Sequence, residues 1–256
     1  MTAEMSLHSR HAIVTGASRG IGAAIATRLS GMGADLTLIG RDGEALERLA
    51  ATLGRAQAEV CDVTDADRIA GLFARLCARA PVAVLVNNAG AAESAPFLKT
   101  TDAIFERMIG LNLMAAVRCT RAVLPSMIGA GWGRVINVAS TAGLKAYPYV
   151  SAYVAAKHAL VGVTRALALE LAREPVTVNA VCPGYTDTDL VRDAVVRIVA
   201  RTGRSEAETR DALVAGNPQH RLIRPEEVAD AVAWLCGPES ASITGQAIAV
   251  AGGEVM

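Results

Sequence analysis

Tyr153 and Lys157 stand four residues apart in the run Ser151-Ala152-Tyr153-Val154-Ala155-Ala156-Lys157, which has the character of a helix. Side chains at i and i+4 of a helix share a face, with Cβ atoms about 5–6 Å apart, so the ammonium can favour the phenolate of its neighbour. A free phenol titrates near ~10, and each unit of depression corresponds to about 1.36 kcal/mol of differential interaction. A neighbouring cation together with a bound cationic ring would make this phenol a general acid or base. Tyrosine and lysine also meet at this spacing on helices that do no chemistry, so the rest of the chain must decide. Ser140, upstream of Tyr153, ends an apolar run and offers a hydroxyl to the same region.

A second group of residues is suited to phosphate rather than to protons. The apolar run 11–15 leads into Thr15-Gly16-Ala17-Ser18-Arg19-Gly20-Ile21-Gly22 and then an amphipathic helix to about residue 32. Glycines between a strand and a helix permit positive φ and close approach, and the bare N–H groups of a helix N-terminus attract a pyrophosphate. The next apolar run, 36–39, ends in Gly40-Arg41-Asp42. In a dinucleotide-binding unit this is where an acid meets the ribose 2′-OH or an arginine meets a 2′-phosphate. Arg41, with Arg19 as a second cation, favours NADP(H); Asp42 leaves NAD(H) possible.

These residues have to be positioned by a scaffold, and the scaffold is legible. Strands are expected at about 11–15, 36–39, 58–60, 82–86, 135–139, 176–181 and 247–250. Helices alternate with them at about 20–32, 43–53, 64–79, 102–128 and from Tyr153 to about 173. This predicts an α/β fold: a Rossmann-type doubly wound parallel sheet of about seven strands with helices on both faces. Asp62, Asn88, Gly90 and Ser140 then all fall at carboxyl ends of strands, where such sheets bind ligands, although Asp, Asn and Gly serve turns equally well. Asn112, in the middle of the predicted 102–128 helix, is disfavoured there by propensity and is expected to bind a backbone group or water. The helix from Tyr153 is apolar on more than one side, which predicts a second covering surface and hence a homo-oligomer.

Composition narrows the function classes. Apolar residues make up 52% of the 256, enough for a large core and against disorder. Lys and Arg, 25 together, balance 25 Asp and Glu, so nothing predicts a nucleic-acid partner. The five cysteines lack paired spacing, as reduced core thiols do. Residues 1–11 have no apolar core of a signal peptide, and no run of 18 apolar residues occurs, so a soluble cytoplasmic protein with no membrane partner is expected. The four histidines have no ligand spacing, and no metal is expected. No repeat or linker interrupts residues 1–256, which are read as a single domain.

Taken together, T-G-A-S-R-G-I-G, the Asp62-Val63 pair, Asn87-Asn88-Ala89-Gly90, the mid-helix Asn112, Ser140 with Tyr-x-x-x-Lys, and Pro183-Gly184 resemble the short-chain dehydrogenase/reductase family along essentially the whole chain. The resemblance implies Tyr153 as proton donor or acceptor and Ser140 on the substrate oxygen. It implies that Lys157 lowers the tyrosine pKa and holds the nicotinamide ribose, and that Asn112 holds a water linking Lys157 to solvent. It further implies cofactor contacts from Gly16, Ser18, Arg19 and Ile21 (phosphates and ribose), Arg41 (2′-phosphate), Asp62 and Val63 (adenine), Asn88 and Gly90 (ribose region), and Pro183, Gly184, Thr186 and Thr188 (carboxamide). A tetramer is the implied assembly.

The resemblance extends to bacterial members acting on 3-oxoacyl thioesters, polyketide carbonyls or 3-hydroxybutyrate. Residues 125–132 lack the basic cluster with which reductases of carrier-protein substrates dock, and Val150 stands where 3-hydroxybutyrate dehydrogenases carry lysine. A free 3-oxoacyl or CoA-linked carbonyl is therefore expected, with Leu144, Tyr147 and Tyr149 suiting a chain or ring. A dehydrogenase of a small hydroxy acid or cyclic alcohol, or a nucleotide sensor without chemistry, are the alternatives. Residues 186–221 are expected to form a substrate lid of two short amphipathic helices. Its arginines 192, 197, 201, 204 and 210 interleave with acids and read as a mixed-charge solvated face.

Overall fold

The computed structural model describes residues 7–255; the part of the leaderless-start reading that falls on residues 1–6 lies outside them. Seven strands, β1 (His11–Thr15), β2 (Asp35–Gly40), β3 (Ala56–Val60), β4 (Val82–Asn87), β5 (Gly133–Val138), β6 (Val176–Pro183) and β7 (Ala247–Val250), form one sheet in the order β3-β2-β1-β4-β5-β6-β7. Every neighbouring pair is parallel. The winding reverses between β1 and β4, and the crevice beyond the carboxyl ends there is where such sheets receive ligands.

The helices are α1 (Gly20–Gly31), α2 (Gly43–Leu53), α3 (Ala66–Arg79), α4 (Asp102–Ile109), α5 (Ala115–Gly129), α6 (Ser151–Glu170), α7 (Asp189–Thr202), α8 (Glu206–Val214) and α9 (Pro225–Cys236). Side chains alternate across a strand, so each central strand feeds both layers. Ala12 and Val14 of β1 pack with Ile25 and Leu29 of α1 and Val228 and Val232 of α9. Ile13 turns the other way, to Leu72 and Phe73 of α3 and Cys119 and Val123 of α5. Apolar residues on both faces of β1, β4 and β5 are what a parallel sheet covered on two sides requires.

Two differences from the sequence reading have identifiable causes. The expected continuous helix over 102–128 is broken by a π-helical turn at Gly110–Met114. Asn112 lies in it, and its Nδ2 donates to the Met108 and Ala91 carbonyl oxygens at 3.0 and 2.9 Å, drawing backbone acceptors away from the regular ladder. Helix α9, absent from the sequence reading, begins at Pro225, a residue whose missing N–H costs nothing in a first turn. Helix α6 buries one face within this chain, as the sequence reading expected: Ala152, Ala156, Leu160, Val161 and Thr164 point inward, while Leu169 is 79% exposed.

Candidate active site

The glycine turn after β1 is built for close approach. Gly16 and Gly20 hold φ of +66° and +56°. A Cβ on Gly22 would stand 2.2 Å from the Gly16 oxygen and 2.5 Å from Asn88 Nδ2, so the backbone folds against itself with no room for a side chain. Arg19 leads into α1 without a side-chain cap, which leaves the first-turn N–H groups of that helix for a ligand. These features fit the pyrophosphate of a dinucleotide.

The ends of β2 and β3 suit the adenosine end. Gly40 is buried and Arg41 exposed, and Arg41 is close enough to Asp62 to help hold that carboxyl below its usual range, after the larger effect of the hydrogen bonds from Thr64. Asp42, the acid that left NAD(H) open, accepts from Ala45 N at 3.0 Å and caps α2. Arg19, the second cation of the sequence reading, is exposed, with its Nη1 3.9 Å from Asp189 on α7.

The proton-transfer group lies at the carboxyl ends of β5 and β6. Ser140 follows β5, its Oγ accepting from Ala142 N at 3.1 Å, and its hydroxyl hydrogen-bonds Tyr153. Lys157 is 4% exposed, its Nζ donating to the Val138 oxygen at 2.8 Å and lying 5.7 Å from the Tyr153 ring centre. Burial pulls the Lys157 pKa down to about 8. Burial also pushes the Tyr153 phenol up, with the Ser140 hydrogen bond opposing it. The expected depression of Tyr153 by Lys157 is thus not a property of the chain alone, because desolvation of the phenolate outweighs the other influences.

A cleft of about 670 Å³ gathers Ile21, Ser140, Tyr153, Pro183, Gly184, Thr186 and Thr188 among its lining residues. Other residues singled out by the sequence lie behind this surface. The Asn88 Nδ2 donates to the Thr15 and Gly16 oxygens at 3.0 and 3.1 Å, so its amide nitrogen pins the glycine turn. Val63 turns its side chain into the core, leaving only its backbone for an adenine. A Cβ on Gly90 would lie 2.8 Å from Asn112 Oδ1 and 3.6 Å from Lys157 Nζ, so these three form one close-packed group. The Asn112 amide is itself committed to residues 91 and 108.

Sequence reasoning missed two supports of the site. A buried polar chain runs from Thr120 through Asn87 and Asn137 to Thr164 with hydrogen bonds of 3.0, 2.9 and 2.9 Å, tying α5, β4, β5 and α6 together and fixing the helix that carries Tyr153. Glu254, whose side chain is 5% exposed, accepts from the Tyr147 hydroxyl at 2.7 Å and from Lys145 Nζ at 3.0 Å. It anchors the loop after Ser140 to the end of the chain. Asn87 belongs to the Asn87-Asn88-Ala89-Gly90 motif, but Thr120, Asn137 and Thr164 carried no signal, and no local spacing links 147 to 254.

Comparison with known proteins matches residues 10–197 to the short chain dehydrogenase model. The 3-oxoacyl-(acyl-carrier-protein) reductase of Pseudomonas aeruginosa is 36% identical, over 98% of this chain and 100% of its own length. The D-beta-hydroxybutyrate dehydrogenase of Rhizobium meliloti is 36% identical, over 96% of this chain and 97% of its own. A crystal structure of an actinorhodin polyketide ketoreductase variant with NADPH superposes with a TM-score of 0.91 at 37% identity, covering 99% of both chains.

Proposed function

The chain belongs to the short-chain dehydrogenase/reductase family, and we propose that it transfers hydride between NADP(H) and a 3-oxoacyl ketone of the CoA type or its secondary alcohol. The observation that carries this reading is the convergence of Ser140, Tyr153 and Lys157 beside one cleft, next to the glycine turn. When bound, the reduced nicotinamide supplies the hydride and the oxidised ring a positive charge. Tyr153 gives its proton to the carbonyl oxygen in reduction; a phenol pushed up by burial is fully protonated near neutral pH, as an acid must be. Ser140 donates to the same oxygen and stabilises the charge that develops on it. Lys157 has two N–H donors beyond the one spent on Val138, which suit ribose hydroxyls, and its charge favours the phenolate left on Tyr153. Gly16, Ser18 and Ile21 hold the phosphates, Asp62 and the Val63 backbone the adenine, and Pro183, Gly184, Thr186 and Thr188 the carboxamide.

NADP(H) is favoured over NAD(H) because Arg41 is exposed at the end of β2 while Asp42 is spent on its helix cap. The neighbour with NADPH is consistent with that choice. We read residues 1–256 as one domain, with 186–221 as a lid: Thr188 and Leu190 border the cleft and Asp189 faces Arg19 of the glycine turn. The outward face of α6, with Leu169 exposed, supports a homo-oligomer, and a tetramer accords with the family. Among the described residues no helix is long and apolar enough to cross a membrane, and a cytoplasmic site is proposed.

The test is Tyr153→Phe assayed by NADPH oxidation with acetoacetyl-CoA and longer 3-oxoacyl-CoAs. The expected loss in kcat is about 10²–10⁴-fold, the usual worth of a positioned general acid, with NADPH affinity retained. Turnover within a few-fold of the parent protein would sink the assignment.

A further inference from the structure

The lid contributes one face of α7 to the cleft: Leu190, Val191, Ala194, Arg197 and Ile198. Those positions, i, i+1, i+4, i+7 and i+8, are a helical stripe of the kind normally apolar throughout. Arg197 interrupts it. Among the described residues lining the cleft it is also the one with a formal charge; the remainder are apolar groups, glycine, prolines, hydroxyls and tyrosines.

Two other lid arginines are held in ion pairs. Arg192 bonds Asp187 and Asp189, each at 2.7 Å, and Arg210 bonds Glu206 at 3.0 Å. Across the cleft, Lys145 is neutralised by Glu254, which also accepts a hydrogen bond from the Tyr147 hydroxyl. Arg197 has neither a carboxylate within 4.0 Å nor a hydrogen bond among the described residues. Arg197 is exposed, as the solvated mixed-charge face read from the sequence expects, but unlike Arg192 and Arg210 it has no acid beside it among the described residues. A helix rises about 1.5 Å per residue, which puts Arg197 about 10 Å along the α7 axis from Leu190. The start of α7 is the end held to the glycine turn, since a Cβ on Gly20 would touch the Thr188 methyl group at 3.1 Å.

We propose that Arg197 is a specificity-determining residue that binds a carboxylate or phosphate carried by an otherwise apolar ketone substrate, remote from the reacting carbonyl. A guanidinium pairs bidentately with either anion. An apolar cleft closing over it without a counter-ion would leave a desolvated charge unpaired, so the same residue that attracts an anionic substrate discriminates against a neutral one. The proposal deepens the ketone-reductase reading and rests on the cleft being the substrate site.

The experiment compares two matched pairs with NADPH: acetoacetyl-CoA against the neutral N-acetylcysteamine thioester, and a methyl ketone with a terminal carboxylate against its methyl ester. In Arg197→Gln the ratio of kcat/KM for the anionic over the neutral member should fall about tenfold through KM, with kcat little altered, and Arg197→Lys should recover part of it. A fall confined to the first pair identifies phosphate as the anion, and one confined to the second identifies carboxylate. Ratios within twofold of the parent protein in both pairs would overturn the proposal. Equilibrium binding of the same four compounds to NADPH-loaded Tyr153→Phe protein reads the same preference without turnover. A failure of the assigned chemistry is thereby separated from a failure of Arg197.

Discussion

The two rims of the sheet hold grooves of similar size, and only one is equipped for chemistry. At the amino ends of the strands a groove of about 600 Å³ is lined by Arg10, His11, Asp35, Arg55, Gln57 and Arg79 among others. There most of the polar side chains pair with one another, His11 Nδ1 being an exception. Arg55 forks onto Asp35 at 2.6 and 2.8 Å, Gln57 donates to Thr37 at 2.8 Å, His11 Nε2 shares the same hydroxyl at 2.8 Å, and Arg79 bonds Gln57. Arg10 and Arg134 stack on Trp132 with 3.8 and 4.4 Å to the ring centre. At the carboxyl ends, an uncapped helix start, the Tyr153 hydroxyl, two of the three Lys157 donors and Arg197 retain donors for which no protein acceptor is seen among the described residues. Volume does not separate the rims; unspent hydrogen-bonding capacity does. Helices in a βαβ unit run back against their strands, so their positive ends gather at the carboxyl rim.

This contrast can be broken most severely at the glycine turn. Gly22→Ala places a methyl group 2.2 Å from a backbone oxygen that cannot yield, and NADPH affinity should fall at least tenfold in a fluorescence titration, with circular dichroism confirming a folded chain. A Kd within twofold of the parent protein would mean the turn is not a tight cradle. Arg41→Asp acts on an exposed side chain and should do less. The ratio of kcat/KM for NADPH over NADH is expected to drop about tenfold, the scale of one charge-assisted hydrogen bond; an unchanged ratio would remove Arg41 from the cofactor site.

The smallest effect belongs to the amino rim and should appear in stability alone. Burial pulls the His11 pKa below its ordinary 6.5, with Arg79 adding to the shift and the Ala80 backbone and Asp35 opposing it. The unfolded chain therefore binds the proton first as pH falls. The stability contributed by neutral His11 is complete above pH 6.5 and declines as the pH drops below it. Denaturant midpoints measured across that window should show a slope that His11→Gln flattens, while kcat stays the same. A matching change in kcat would tie the two rims together and end the distinction.

Much of the architecture was readable because it is periodic and local. Apolar runs alternating with amphipathic segments give the seven strands and most helices, and Gly16, Gly20 and Gly22 mark the turn before any coordinate is known. The π turn at Asn112 was not readable, since it depends on the Ala91 carbonyl, 21 residues away. Helix α9 was passed over although Pro225 and Glu227 mark its start. The bond of Asn88 to the Thr15 and Gly16 carbonyls was not readable either, because a strand-end asparagine looks the same whether or not its amide holds a neighbouring turn.

The amino-acid sequence by itself determined which groups exist and how they are spaced: a phenol and an ammonium one helical turn apart, a serine at a strand end, a glycine turn ahead of a helix. These follow from bond geometry and repeat length, which a linear chain already carries. Only the tertiary structure decided which of those groups are desolvated and which are spoken for. It set the direction of the Tyr153 and Lys157 pKa values, committed Asp42 and Asn88 to structural bonds, and left Arg197 without a partner among the described residues. Burial and pairing are properties of neighbours brought from distant parts of the chain, and no local pattern encodes them.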